Sequence, residues 1–338
     1  MRMIEKNHGM LPSDEERRRL MKAQAKTNPN YGKRPAERSV TELLNNGMII
    51  LDKPREPTSH QVVAWVKKIL EVEKVGHGGT LDPNATGVLP TALGNATRSL
   101  QVLLSAGKEY VGIMRLHKKG INEKNIVSTC TSFVGDVYQI PPLRSAVKRV
   151  RRKRHVYYLD ILEIKDDTDV LFRVGCEAGT YVRTLCVDIG KKLRCGAHLL
   201  ELRRTRVGKL IEDSAVTLHD LKDSFVFWKE EGDEKYIRSI VHPMETLLSH
   251  LPKIVVRDSA VDALCHGAPL AIPGVLEVDS DVQKGGLAAV ISLKGEGIAT
   301  VKILMNSWEI IEKDSGVCVK VERVLMNKGT YPSIWKKS

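Results

Sequence analysis

The chain has 338 residues, enough to bury a large domain and a smaller one, and its 53 Lys and Arg against 41 Asp and Glu give a formal net charge of +12. This charge favours an acidic partner, either nucleic acid or an anionic membrane surface. No apolar run approaches the roughly 18 residues that span a bilayer, and the amino terminus is too charged for a secretory signal, so we expect a soluble, intracellular protein.

The first 47 residues form a polar leader. Ser13 and Glu16 have the spacing of a helix capping box ahead of a charged stretch that runs to Lys26. This pattern predicts an arm with a short helix, outside the core.

The core begins with the apolar run 48–51, which predicts a buried strand that ends in a turn at 52–54. Thr58 and Gln61 form a second capping-box pattern, and a stripe of apolar side chains follows at helical spacing. We interpret this stripe as core; it consists of Val62, Trp65, Val66, Ile69 and Leu70.

Residues 76–98 are rich in Gly, Thr, Pro and Asn, which predicts a structured loop between core elements, where chemistry is often found. The later runs 110–116, 156–164 and 171–176 are rich in β-branched and apolar residues and are predicted to be strands. Gly179 and Thr180 lead into a predicted helix whose apolar face is formed by Val182, Leu185, Cys186, Ile189 and Leu193. A mixed α+β sheet domain is indicated, with Tyr181 and Arg183 in the first turn of that helix.

A change in composition near residue 251 predicts a domain boundary, because short strand candidates punctuated by Gly and Pro follow it. The runs 287–293 and 298–304 are joined by a hairpin-like turn, Lys294-Gly295-Glu296-Gly297. A second, small β-rich module fits this segment.

The six cysteines lack the spacing of a zinc site, so we expect small buried side chains in a reducing compartment. They are Cys130, Cys176, Cys186, Cys195, Cys265 and Cys318.

Between residues 144 and 154, seven of eleven side chains are basic and none is acidic: Arg144, Lys148, Arg149, Arg151, Arg152, Lys153 and Arg154. Such a run can be a solvated loop, a localisation signal or a phosphate-binding surface, and the overall charge favours nucleic acid. A membrane role is disfavoured because the run lacks an apolar, aromatic face.

Asp82 lies in the segment GHGGTLDPNATGVLP, residues 76–90. Pro83 restricts the backbone of Asp82, and the glycines permit close approach of a ligand. The segment is not a P-loop, because the Gly-Lys-Ser/Thr end is missing.

This segment resembles the catalytic motif of the TruB/dyskerin family of RNA pseudouridine synthases. Four further blocks resemble the family in the same order: ILDKPREPTSHQVV, KEYVGIMRLH, GTYVRTLCVDIG and CGAHLLELRRTRVG. The resemblance implies an α+β fold with a mixed, mostly antiparallel sheet in a catalytic domain at 48–250. It also implies a small β-barrel PUA domain at 252–327, a leader at 1–47 that packs on the PUA domain, and a short basic tail at 328–338.

The same resemblance implies the residues of the site. Asp82 would be the catalytic nucleophile, Arg183 its charged partner and Tyr110 the aromatic side chain against the target base. The substrate-binding residues would be His77, Tyr181, Leu202 and Lys53. We expect the Asp82–Arg183 pair to lie in a site that excludes water, and we expect no cofactor and no metal.

The dyskerin-type branch is implied by YQIPPLRSAVKRVRRKR at 138–154, by the leader and by the complete PUA-like module. Its members act on rRNA with a box H/ACA guide RNA, and bacterial members of the family act on the tRNA T-arm loop at position 55. The implied protein partners are a small zinc-ribbon protein, a small β-barrel protein and a kink-turn-binding protein.

Three alternatives stay open on the sequence. The chain could be a non-catalytic RNA-binding scaffold, or it could act on tRNA without a guide. A glycoside hydrolase is disfavoured, because that chemistry commonly uses two opposed carboxylates and only Asp82 is convincing.

Overall fold

The structure, a computed structural model, describes residues 9–141, 148 and 150–333. Its strands are β1 (Arg19–Met21), β2 (Gly47–Lys53), β3 (Val75–His77), β4 (Thr86–Leu93), β5 (Lys108–Leu116), β6 (Gly135–Gln139), β7 (Arg152–Lys165), β8 (Asp169–Cys176), β9 (Ala197–Val207), β10 (Leu210–Ile211), β11 (His242–Pro243), β12 (Lys253–Val256), β13 (Leu270–Ala271), β14 (Val275–Asp279), β15 (Leu287–Ser292), β16 (Gly297–Ile303) and β17 (Val317–Val324).

Eight α-helices occur in the described part of the chain: α1 (Val40–Asn46), α2 (Ser59–Leu70), α3 (Glu123–Thr131), α4 (Val182–Lys192), α5 (Leu218–Val226), α6 (Lys235–Ile240), α7 (Asp258–Cys265) and α8 (Ser307–Glu312). Short 3₁₀ segments include Pro12–Asp14 and Gly94–Leu104, and Phe227–Glu231 forms a π turn. In the described residues no helix is long and apolar enough to cross a membrane.

The strands form two sheets. The larger has the order β11-β2-β4-β9-β5-β8-β7-β6, with β10 on β9 and β3 on β4. The smaller has the order β1-β14-β12-β15-β16-β17-β13. Among the strands named above, all pairs are antiparallel except β4 with β9 and β12 with β15, so the predicted α+β fold with mostly antiparallel pairing is confirmed.

The strand β4 corrects the prediction of one long loop at 76–98. Its side chains are almost all buried, and it pairs with β2 over six residues. Gly87, the second residue of β4, made the segment resemble a loop in the sequence, because glycine is uncommon inside strands. Its φ is +98°, and an added Cβ would collide with the Arg204 backbone, so the glycine is needed where β4 and β9 meet. The loop that carries Asp82 therefore spans only residues 78–85.

The helix α2 begins as predicted, because Thr58 and Gln61 form the reciprocal capping box. Val62, Val66 and Leu70 are buried on its inner face. Trp65 is 42% exposed, which corrects its assignment to the core. The three buried positions follow one another at intervals of four residues, and Trp65 lies at the margin of that stripe.

The leader does not form the predicted helix. Its Pro12–Asp14 turn is followed by β1, which pairs with β14 through Arg19↔Asp279. The edge of the smaller sheet offers backbone partners that an isolated charged helix would lack. Leu11 is 1% exposed, so part of the leader belongs to the core.

The six cysteines are all buried and unpaired, as the sequence predicted. Burial raises the pKa of the thiols, to about 12 for Cys130, so they are protonated and unreactive at neutral pH.

Candidate active site

The 78–85 loop, between β3 and β4, is held rigidly while it presents Asp82. Just before the aspartate, the Ser59 hydroxyl accepts the Leu81 N–H at 3.0 Å and donates to the Leu81 carbonyl at 3.1 Å. Just after it, the Lys53 ammonium donates to the carbonyls of Pro83 at 3.0 Å and Ala85 at 2.9 Å. The Asp82 side chain remains 63% exposed, so the loop backbone is fixed and the carboxylate is available.

Lys53 was predicted to bind substrate, and the structure corrects this. The residue is fully buried, and its third hydrogen bond goes to the Pro54 carbonyl at 2.8 Å. Burial lowers the pKa of Lys53, and the charge of Asp82 opposes that shift. Lys53 therefore stabilises the loop from its buried side, and its side chain is not accessible to a ligand.

Arg183 meets Asp82 as predicted from the resemblance, with Nη2 lying 3.3 Å from Oδ2. It is the second residue of α4, and the burial of Val182 and Leu185 orients the helix so that Arg183 faces the loop. The two side chains are 51% and 63% exposed, so the expectation of a site closed to water is wrong for the chain by itself. An exposed pair of this kind contributes roughly 0–1 kcal/mol to folding.

Tyr110 lies opposite Arg204 where β5 pairs with β9. Arg204 is 1% exposed and donates to the carbonyls of Val88 at 2.7 Å and Gly79 at 3.0 Å. Burial raises the pKa of Tyr110; the Arg204 charge opposes this and the Asp82 charge adds to it. Tyr110 is thus a neutral phenol at pH 7, close enough to Asp82 to respond to its charge.

Arg204 was missed by sequence reasoning, although it lies in the quoted block CGAHLLELRRTRVG. The sequence did contain a signal that one of these arginines is buried. Neighbouring side chains in a strand point to opposite faces of the sheet, so Arg203 and Arg204 cannot both lie on the exposed face. Arg203 pairs at the surface with Asp52 at 3.0 Å.

The remaining predicted pocket residues lie on elements that adjoin this centre: His77 ends β3, Leu202 lies on β9 and Tyr181 precedes α4. His77 packs edge-to-face on His60 with ring centroids 5.1 Å apart, and burial lowers its pKa. Leu202 and Asn84 line a cavity of about 210 Å³ beside the loop. Tyr181 directly precedes α4 and is half-buried.

The predicted basic surface is only partly described. Arg144 and Arg149 lie outside the described residues. Lys148, Arg151 and Arg152 are exposed, and the Arg151 guanidinium lies 4.7 Å from the centre of the Tyr138 ring. These three side chains are available to an anionic ligand.

Lys153 and Arg154 have acidic partners. Lys153 is 58% exposed and lies 2.6 Å from Asp136, so it can exchange that partner for a phosphate. Arg154 is only 20% exposed and faces Glu177 at 3.7 Å. A phosphate contact does not fit Arg154, which packs instead against the turn ahead of α4.

Four segments of the chain match known domain families. Residues 67–182 match the TruB family pseudouridylate synthase (N terminal domain), 183–249 the tRNA pseudouridylate synthase B C-terminal domain, 252–325 the PUA domain and 10–63 the DKCLD (NUC011) domain. A Methanosarcina barkeri protein described as a probable tRNA pseudouridine synthase B is 51% identical over 329 residues, 97% of each chain.

The chain belongs to the TruB family of pseudouridylate synthases. It is accordingly an enzyme of the isomerase class, with a C-terminal PUA domain. A second TruB relative, from Methanopyrus kandleri and bearing the same description, is 54% identical over 326 residues, 96% of each chain.

Solved structures of similar TruB-type chains extend the comparison. A chain in a Cbf5-Nop10-Gar1 complex superposes with a TM-score of 0.91 at 51% identity, covering 96% of this chain and 98% of that one. A chain in an H/ACA RNP bound to a substrate RNA containing 2′-deoxyuridine superposes with a TM-score of 0.90 at 48% identity, covering 96% and 100%.

Proposed function

We propose that the chain isomerises uridine to pseudouridine in RNA with Asp82 as the catalytic carboxylate. The observation that carries this proposal is the Asp82–Arg183 pair, 3.3 Å apart, with Asp82 on a loop that Ser59 and Lys53 hold by hydrogen bonds. Both side chains of the pair reach solvent, so an RNA strand can cover them. Covering removes water and strengthens the electrostatic interactions inside the site.

The reaction breaks the bond from ribose C1′ to uracil N1, turns the base and joins C1′ to C5. A carboxylate can attack the base or the sugar carbon, or it can remove a sugar proton so that a glycal forms. All three routes require an ionised Asp82 next to the target nucleoside, and they differ in which substrate atom the carboxylate meets. Arg183 orients the carboxylate in each of them.

The target base must leave its stack, which costs a few kcal/mol and requires an apolar, aromatic slot. Tyr110, Leu202 and Tyr181 are half-buried around the Asp82 loop and could form the walls of that slot. The neutral phenol of Tyr110 can donate a hydrogen bond to the base. To take the proton that leaves C5 after reattachment, the phenol must pass its own O–H proton on, and the Asp82 carboxylate, whose charge Tyr110 senses, is an acceptor for it.

We propose that the physiological assembly is a box H/ACA particle. Support comes from the similar chains solved in an H/ACA RNP and in a Cbf5-Nop10-Gar1 complex. The partners would be a guide RNA, a small zinc-ribbon protein, a small β-barrel protein and a kink-turn-binding protein, acting on rRNA in the cytoplasm. The relatives described as tRNA pseudouridine synthase B favour a second substrate, position 55 of the tRNA T-arm loop.

We also propose the division of labour among the segments: leader 1–47, catalysis 48–250, RNA anchoring 252–327 and a basic tail 328–338. A groove of about 850 Å³ between the Gly94–Leu104 segment and the smaller sheet supports RNA anchoring. Arg98, Lys302, Lys320 and Arg323 line it against one acid, Glu322. Such a surface suits a phosphate backbone.

Replacing Asp82 tests the catalytic proposal. Asp82→Asn retains the shape of the side chain but removes the anionic nucleophile, so pseudouridine formation should fall at least about 1000-fold while RNA affinity stays within about threefold. The assay measures tritium released from C5-labelled uridine in a T-arm transcript and in a guide-matched rRNA fragment, with and without guide and partners.

Asp188→Asn, on the same helix as Arg183, is the matched control and should keep the wild-type rate. An Asp82→Asn variant that retained more than about a tenth of the rate would remove Asp82 from catalysis. Wild-type chain that bound RNA but formed no product in any assembly would favour the scaffold alternative. Product formed only with the guide would exclude unguided action.

A further inference from the structure

Gln139, the last residue of β6, forms two hydrogen bonds with the backbone of Tyr181 through its side-chain amide. Its Nε2 donates to the Tyr181 carbonyl at 3.1 Å, and its Oε1 accepts the Tyr181 N–H at 2.9 Å. The residue is 3% exposed, whereas its neighbours Tyr138 and Ile140 are 56% and 49% exposed. One buried amide therefore pairs with a backbone donor and a backbone acceptor 42 residues away, and the same carbonyl also accepts the Leu185 N–H of α4 at 3.0 Å.

Tyr181 is the residue from which α4 starts. Tyrosine is not among the residue types that cap helices with their own side chain, so the direction in which the chain enters α4 must be set by contacts from elsewhere. Arg183 follows two residues later and reaches Asp82. A displacement of about 1 Å in such a group can cost roughly 100-fold in rate.

The β6–β7 hairpin holds the same turn at its other end. The Glu177 N–H donates to the His155 carbonyl at 2.8 Å, and the Glu177 carboxylate accepts the His155 N–H at 3.1 Å. Between these contacts, Gly179 has a φ of +80°, and an added Cβ would lie 3.1 Å from the Arg154 guanidinium. The turn 177–181 thus contacts the hairpin at its first, middle and last residues.

We infer that Gln139 is a positioning residue: through Tyr181 it aligns Arg183 with Asp82, and so it sets the rate of isomerisation rather than the affinity for RNA. This inference rests on the proposed role of Asp82. In that proposal the exposed Arg151 and Arg152 of the β6–β7 hairpin face RNA. Through Gln139, the same hairpin would also help to position Arg183 beside the catalytic carboxylate.

Two variants separate positioning from general destabilisation. Gln139→Leu fills the space but bonds to neither backbone group of Tyr181. Gln139→Glu retains the acceptor for the Tyr181 N–H, and only its protonated form can also donate to the Tyr181 carbonyl. Because burial raises the pKa of a carboxyl group, protonation of the new side chain is accessible in mildly acidic buffer.

We expect Gln139→Leu to lower the single-turnover rate on the T-arm transcript about 10- to 100-fold at every pH, with the RNA Kd within about threefold of wild type. Gln139→Glu should be equally slow near pH 8.5 and should recover to within about threefold of wild type near pH 5.5. Rates are taken as ratios to wild type at each pH, which removes the intrinsic pH dependence of the reaction. The full-length chain is used throughout.

Val137→Ala is the matched control. Val137 lies on the same face of β6 as Gln139 and packs against the apolar core that includes Val182 and Leu185 of α4, but its side chain forms no hydrogen bond with Tyr181. Its rate should stay within about twofold of wild type. The inference is overturned by a Gln139→Leu rate within twofold of wild type, by equal losses of rate and RNA affinity, or by a pH-independent ratio for Gln139→Glu.

Hydrogen exchange provides a readout that does not depend on activity. The Tyr181 amide should exchange faster in Gln139→Leu than in wild type, with unchanged exchange in α2, and unchanged exchange at Tyr181 would contradict the hydrogen bonds from Gln139 themselves. Absence of product from the wild-type chain would instead count against the proposed function, so the two failures are distinguishable.

Discussion

A buried guanidinium organises the centre of the site. Arg204 donates hydrogen bonds to the Gly79 carbonyl in the Asp82 loop and to the Val88 carbonyl of β4, and it lies opposite Tyr110 in the sheet. Its planar guanidinium directs two separate groups, Nε–H and Nη2–H, at these two carbonyls. Such a cation costs desolvation free energy, and hydrogen bonds to carbonyl dipoles offset that cost.

We expect Arg204→Gln to destabilise the fold and the site together. The shorter side chain leaves at least one of the two carbonyls without its donor and replaces the buried guanidinium, so the free energy of unfolding should fall by about 2–4 kcal/mol. Denaturant titration measures this change, and the tritium-release assay should show a loss of activity at temperatures where the variant stays folded.

Arg203→Gln is the control, since Arg203 is half-exposed and its pairs lie at the surface. Its stability should change by less than about 1 kcal/mol. Equal stability of the two variants would mean that Arg204 is not a structural centre.

At the scale of elements, capping signals succeeded only where an apolar face followed them. Thr58 and Gln61 precede a stripe that buries Val62 and Val66, and α2 forms. Ser13 and Glu16 precede a charged stretch, and the chain forms β1 instead. A capping box satisfies only a few donors, and a short helix needs buried apolar contacts to be stable.

The smaller sheet carries a prediction about its groove. Lys320 and Arg323 project from β17 into the groove and are exposed, so each can release counterions from a bound phosphate. In Lys320→Gln/Arg323→Gln, the slope of log Kd for guide RNA against log salt should fall by about 0.7–0.9 per lost contact. Fluorescence anisotropy over a salt series measures the slope.

Lys313→Gln is the control outside the groove, because Lys313 is exposed at the end of α8 and pairs with Glu309 at 3.0 Å. It should leave the slope unchanged. A double variant with the wild-type slope would show that the groove does not hold RNA backbone.

At the scale of the whole molecule, the two sheets share one apolar cluster. Met48 and Val88 of the larger sheet pack in it with Ala289 and Leu325. The leader also bridges the two, since Asp14 pairs with Arg206 and Arg17 pairs with Asp281. Deleting the C-terminal module would expose this cluster, so substitutions in the groove test RNA binding more cleanly than truncation.

The junction should also be sensitive to acid. Burial lowers the pKa of His250 to about 4, and its Nε2 lies 3.1 Å from the Val102 carbonyl. Because the pKa is near 6.5 in the unfolded chain, stability is full above pH 6.5 and falls as the pH drops toward 4. The loss from this one group is up to about 3 kcal/mol.

Urea unfolding at about pH 7 and pH 4.5 measures this effect in the wild type and in His250→Gln. The variant cannot take up the proton, so its stability should fall less between the two pH values. Equal losses in both chains would mean that the pKa of His250 does not differ between the folded and the unfolded state.

The sequence by itself determined the family, the α+β fold and the main strands, and it identified Asp82, Arg183 and Tyr110 as residues to examine. These are local signals: contiguous motifs, apolar periodicity and residue chemistry survive in one dimension. Only the tertiary structure decided that Lys53 lies beneath the loop, that Arg204 reaches the loop from β9, and that Gln139 of β6 bonds to the backbone of Tyr181. It also decided that Asp82 and Arg183 are open to solvent. Those properties depend on side chains from distant segments meeting and on which face of each strand is buried, and neither is encoded at any single position in the chain.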